Sequence, residues 1–136
     1  MTLTVTITPG ELERQASLIY QGKSFEVFLV SNSTQPTPLD ATSTYAEWKA
    51  IEVAGNGYVT ASGTVGFGAY NQTSTRFEVA PLVASFSAAG GDIVFDTICV
   101  KVGAGGYLHS IQVEDPAITI LDGGSRTYLI SLVQDD

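Results

Sequence analysis

Residues 93–102 read Ile93-Val94-Phe95-Asp96-Thr97-Ile98-Cys99-Val100-Lys101-Val102, the most apolar run that turn signals bracket in this chain. Ala88-Ala89-Gly90-Gly91 precedes it and Gly103-Ala104-Gly105-Gly106 follows. β-Branched and aromatic residues between glycine turns predict a strand. Working outward, the same grammar repeats. Downstream, His109–Val113 and Ala117–Leu121 are predicted strands separated by Asp115-Pro116, and after Asp122-Gly123-Gly124 a last strand covers Thr127–Val133. Upstream, Val83–Ser87 alternates, Phe77 and Val79 alternate before Pro81, and Asn71 to Ser74 is a turn. Tyr58–Ser62 and Gly63–Tyr70 read as a hairpin with Gly63, Gly66 and Gly68 as its flexible points, after the turn Gly55-Asn56-Gly57. Phe25 to Val30 is apolar except for Glu26 and predicts a strand covered on both sides. At the start, Leu3, Val5 and Ile7 alternate with Thr2, Thr4, Thr6 and Thr8, the period of a half-buried strand.

Two stretches break the period of two. Leu12, Ala16, Ile19 and Tyr20 stand at helical spacing over residues 11–20, with Glu11 and Glu13 suited to a helix start and Gly22 beyond its end. Tyr45 to Ile51 predicts a second short helix with Tyr45, Trp48 and Ile51 on one side. Between them, residues 31–44 are rich in Ser, Thr and Pro and predict a surface loop or arm. The expectation is an all-β chain: an antiparallel β-sandwich, jelly-roll-like, of roughly nine short strands at turn spacings of ~8–12 residues, with one or two short helices. Its core should include Leu3, Val5, Ile7, Val27, Leu29, Phe95, Ile98, Val100, Ile118, Ile130 and Leu132.

The 136 residues fit one domain spanning 1–136. Six basic residues against fourteen acids give a net charge of −8, so a basic nucleic-acid surface is excluded. Charged residues are only 15% and mean hydropathy is +0.19, which excludes disorder as a description of the whole chain. One Cys leaves no internal disulfide framework and no multi-cysteine metal knuckle. No run reaches the ~18 apolar residues of a membrane span, and the N-terminus lacks the basic and apolar regions of a secretory signal. Synthesis and folding in a cytosol, with a free Cys99, are therefore expected, and Asn32-Ser33-Thr34 and Asn71-Gln72-Thr73 match the glycosylation pattern by chance.

Catalytic chemistry is sparse. His109 is the only histidine, at a strand start after a glycine-rich turn, and a structural role is the simpler reading. Asp92, Asp96, Glu114, Asp115 and Asp122 gather near strand ends. Asp92 and Asp96 share a strand face but lie ~13 Å apart, too far for a retaining carboxylate pair. The rest read as turn residues, whose carboxylates bond nearby amides. No calcium-loop pattern is present, and Gly103–Gly106 lacks the lysine and helix of a phosphate cradle. No enzyme activity, cofactor or metal is expected. Tyr45, Trp48, Tyr58, Tyr70 and Tyr107, with Asn56 and Asn71, are residue types that stack sugars and bond hydroxyls, which opens a carbohydrate-binding reading beside the commoner one of packing or interface.

The back half adds a resemblance. Phe86-Ser87-Ala88-Ala89-Gly90-Gly91-Asp92-Ile93-Val94-Phe95-Asp96, Ile118-Thr119-Ile120-Leu121-Asp122-Gly123-Gly124-Ser125-Arg126-Thr127-Tyr128-Leu129-Ile130, Gly57-Tyr58-Val59-Thr60-Ala61-Ser62 and Tyr70-Asn71 resemble small β-rich virion proteins of tailed phages, especially those of cyanobacteria, over about residues 44–133. The resemblance implies a structural role: a capsid decoration (cement) protein on the outer shell, bound to the major capsid protein as a dimer or trimer, or a neck or tail component. It brings no site motif. From the residues themselves, a Thr-rich strand at 2–8 without Lys or Pro is an unprotected edge. A homo-oligomer is expected, with residues 2–8 or 31–48 in contact and Leu3, Val5, Ile7, Tyr45 and Trp48 as candidate interface residues; no nucleic acid and no membrane are expected as partners.

Overall fold

The computed structural model describes residues 22–66, 69–71, 76–78 and 81–132. The strand expected over residues 2–8, with Leu3, Val5 and Ile7, and the helix expected over 11–20 lie outside the described residues. Along the chain run β1 (Ser24–Val30), α1 (Tyr45–Ala50), β2 (Ala61–Thr64), β3 (Ala69–Asn71), β4 (Arg76–Glu78), β5 (Leu82–Ser87), β6 (Ile93–Val102), β7 (Ser110–Ile120) and β8 (Ser125–Ile130). All pairings are antiparallel: a four-stranded sheet in the order β2-β1-β6-β7, and the two-stranded pairs β3-β4 and β5-β8. The fold is the all-β, sandwich-like one that the turn spacing predicts.

How the chain builds a sandwich is visible in β5 to β8. β6 and β7 pair with each other in one sheet, while β5 and β8, which flank them in sequence, pair in the facing sheet. A long hairpin is thus folded over on itself, and its inside is the core. β5 alternates along its whole length, Leu82, Ala84 and Phe86 buried and Val83, Ser85 and Ser87 exposed, because only one of its faces meets another layer. Those side chains meet Phe25, Val27 and Leu29 of β1 and Ile93, Phe95, Ile98 and Val100 of β6, with Ile120 and Leu132. Ile118 and Ile130, expected in the core, are half-buried at its margin.

β1 and β6 are buried on both faces, since the central sheet has a third layer. Phe28 and Val30 of β1 and Cys99 of β6 point away from the sandwich core and are covered by Trp48, with Leu39, Tyr45, Ile51, Leu108 and Ile111 around them. In β6 the inward positions are 93 and 95, then 98 and 100. The period slips by one residue at Asp96-Thr97, and the ladder shifts register at the same place. Phe95 faces Ile118 while Thr97 faces Val113, so the longer stretch between Val113 and Ile118 loops out of β7 as a bulge. It holds the cis Asp115-Pro116 bond. The break expected there is therefore an irregularity inside one strand and does not separate two. Proline lacks the N–H that a ladder needs, so it falls where pairing is interrupted. A second correction concerns Gly63. It is a paired residue of β2, opposite Phe25, and not a hairpin point; its missing side chain admits Phe25, whose ring would stand 3.0 Å from a Cβ there.

Residues 31–43 form a loop closed onto its own protomer, not an arm extended from it. Asn32 and Ser33 donate their backbone N–H groups to the two Asp96 carboxylate oxygens, each at 2.8 Å. Asn32 in turn clasps Leu39, its Oδ1 accepting the Leu39 N–H at 2.8 Å and its Nδ2 donating to the Leu39 carbonyl at 2.9 Å. Leu39 is thereby set against the second cluster.

Candidate functional site

Thr44 starts α1 with a capping box: its hydroxyl accepts the Glu47 N–H at 3.2 Å and the Glu47 carboxylate accepts the Thr44 N–H at 3.0 Å. Tyr45 N–H donates to the Gly106 carbonyl at 2.8 Å, which ties the helix start to the β6–β7 loop. Two different jobs follow for the two aromatic residues of this helix. Trp48 turns inward and is 1% exposed. This corrects the expectation that it anchors a partner, because its ring is used in closing the second core cluster. Tyr45 stays half-buried and lines a groove of about 640 Å³ between β1, β2 and the β6–β7 loop.

The groove gathers opposite charges. Glu26 of β1 and Lys101 of β6 are direct cross-strand partners in its floor. Opposite charges at such positions ordinarily meet. Here they do not, and Lys49–Glu52 is the only ion pair among the described residues. Glu26 Oε2 accepts the Tyr45 hydroxyl at 2.5 Å, and Lys101 Nζ donates to the Gly103 carbonyl at 2.6 Å while standing 5.3 Å from the Tyr45 ring centre. The bond to Glu26, then burial, push the Tyr45 phenol up to about 12, so it remains a donor throughout the physiological range. The walls are hydroxyls and main chain: Ser24, Ser62 and Thr64, with Gly103, Ala104 and Gly105. Gly103 has φ +67, a left-handed conformation that suits glycine and turns the chain after β6.

A second polar cluster is closed and structural. Glu52 pairs with Lys49 at 2.8 Å and accepts the hydroxyls of Tyr58, at 2.6 Å, and Thr60. Burial opposes the charge on Glu52, but the hydrogen bonds from Lys49, Thr60 and Tyr58 outweigh it and hold the carboxyl below its ordinary range. Burial, then the bond to Glu52, raise the Tyr58 phenol well above its ordinary value. Tyr58 Oη also accepts the Leu29 N–H at 3.0 Å, where the β1–β2 ladder has ended.

The other sequence candidates are scattered. His109 sits on the surface at the start of β7, Nδ1 3.1 Å from Ser110 Oγ. Asp92 Oδ1 accepts the Asp122 N–H and Asp122 Oδ1 accepts the Gly90 N–H, so Asp122 joins turns as expected, and Asp92, expected on a strand face, joins them with it just before β6. Asn56 donates to the Asp92 carbonyl in the same knot, and Gly91 lies so close that a Cβ there would stand 2.8 Å from the Asn56 side chain. Burial, then the charges of Glu52 and Asp96, push the Cys99 thiol up to about 12, which leaves no thiolate for nucleophilic work. No group of three or more metal-ligating side chains forms among the described residues. The named aromatics do not build one platform: Tyr58 stacks on Phe86 in the core, Trp48 is internal, Tyr107 is exposed away from the groove lining, and Tyr70's side chain lies outside the described set. Sequence reasoning missed Glu26 and Lys101 as a pair. Their signal was present, since each is a charge interrupting an apolar strand. Compared with family models, curated proteins and solved structures, the chain matches none.

Proposed function

We propose that this chain is a virion structural protein, a decoration (cement) protein that binds the outer face of a phage capsid and stabilises the shell. The sequence resemblance motivates the reading, and the solvent face of the β5–β8 ribbon carries it. Val83 and Leu129 are directly opposed across that ribbon and are 57% and 71% exposed. This exposed, register-matched apolar pair is not used in the protomer's own core, and it supports an assembly contact on that face. The −8 charge favours an exterior position, away from packaged DNA. The partners are the major capsid protein and further copies of this chain, as a trimer or dimer, with the ribbon replacing Trp48 and the 31–48 segment as the contact. Tyr45 is assigned to the groove. Leu3, Val5 and Ile7 keep their proposed interface role.

The test is cosedimentation with capsids that lack the protein. Wild-type chain should pellet with the shell at a fixed stoichiometry, and the double variant Val83→Ser, Leu129→Ser should stay in the supernatant while melting like the wild type. A wild type that neither pellets nor self-associates defeats the reading.

A further inference from the structure

We propose that the groove over Glu26, Tyr45 and Lys101 binds a neutral polyhydroxylated ligand, a short saccharide. Glu26 and Lys101 stand opposite each other in register, yet each charge is engaged elsewhere and neither neutralises the other. Among the described residues Glu26 Oε1 has no hydrogen-bond partner, and an ammonium has three donors of which Gly103 takes one. The groove therefore holds one strong acceptor and one strong donor, fixed by Tyr45 and by the loop, and no net charge. That set discriminates. An anion is repelled by Glu26 and a cation by Lys101, whereas a hydroxylated ligand donates to the carboxylate and accepts from the ammonium at once. Ser24, Ser62 and Thr64 add hydroxyls that can do either, and Ala104 and the Tyr45 ring supply apolar surface for C–H faces. A volume of about 640 Å³ lies inside the ~300–1,000 Å³ of small-ligand sites. The site does not depend on a capsid role, because Glu26 and Lys101 lie on the face of the central sheet opposite the β5–β8 ribbon.

The experiment is a printed oligosaccharide array probed with the fluorescently labelled full chain, followed by titration of the ¹⁵N-labelled chain with the best-retained glycan. Retention of at least one glycan is expected, with saturating shifts at the amides of Ser62, Gly63, Gly103 and Gly105. Glu26→Gln keeps the Tyr45 bond but removes the charge, and should weaken binding about tenfold. Ala104→Trp, at an exposed loop position, fills the groove and should abolish retention even if Glu26→Gln folds poorly. Retention of no glycan, retention that survives Ala104→Trp, or shifts confined to other surfaces would overturn the proposal.

Discussion

At position 96 a carboxylate only 5% exposed holds two consecutive amides that are 64 and 63 residues away in sequence. Its own neighbour Thr97 donates a third bond at 2.9 Å. Burial raises the Asp96 carboxyl, but the bonds from Ser33, Asn32 and Thr97 outweigh it and hold it below the ordinary aspartate value. Its stabilisation is accordingly complete above the ~3.9 of an unfolded aspartate and is lost as pH falls through the lower folded value. Asp96→Ala should cost about 1–3 kcal/mol in urea unfolding at neutral pH, and the gap from wild type should narrow as the pH is lowered below ~4. A gap independent of pH would show that the carboxylate's charge is not what holds the loop. Tyr58→Phe tests a related point. Removing the hydroxyl strands the N–H of fully buried Leu29, so a loss of about 1–3 kcal/mol is expected in thermal or chemical melts. Neither role was legible beforehand. Asp96 could be compared only with Asp92 along the strand, because a bond across 64 residues leaves no local pattern.

The elements were more readable. The helix appears at Tyr45–Ala50, and Tyr45, Trp48 and Ile51 share the side that packs on the second cluster, as helical spacing predicts. What spacing did not say is which of them would be enclosed. Trp48 is the only tryptophan, so its fluorescence reports whether α1 is seated. Trp48→Ala should lower stability by about 3–5 kcal/mol through the cavity it leaves, with no loss of capsid binding in the fraction that remains folded. A variant of unchanged stability that no longer binds the shell would instead restore Trp48 as an interface anchor. Thr44→Ala removes half of the capping box and should cost about 1 kcal/mol, read from the same fluorescence. In β6, apolar composition located the strand with its boundaries, but the slip in its facing at Asp96-Thr97 coincides with the register shift against β7, a property of the pair.

For the whole molecule, three layers account for a chain with few charges. The β5–β8 ribbon covers one face of the central sheet, while α1 and the 31–43 loop cover the other. This leaves Val83 and Leu129 as an exposed apolar pair on the outer face of the ribbon, beside the hydroxyls of Ser85, Ser87, Ser125 and Thr127. Light scattering at micromolar concentration should give a multiple of 14.3 kDa, and Val83→Ser with Leu129→Ser should return it toward the monomer. A wild type that scatters as a clean monomer removes self-association from the proposal.

Read alone, the chain's residues specified the all-β class, the turns at 55–57, 88–91, 103–106 and 122–124, the strand bounds of β1 and β6 and the short helix, because periodicity, glycine placement and apolar composition act over a few neighbouring residues. Tertiary structure decided the rest: that Trp48 is internal, that the 31–43 loop is fastened by Asp96, that Asp115-Pro116 is a bulge, and that Glu26 and Lys101 face each other in one groove. Each of these depends on which strand lies beside which. Pairing between segments distant in sequence is set by the burial of the whole core, and no short window of residues contains that information.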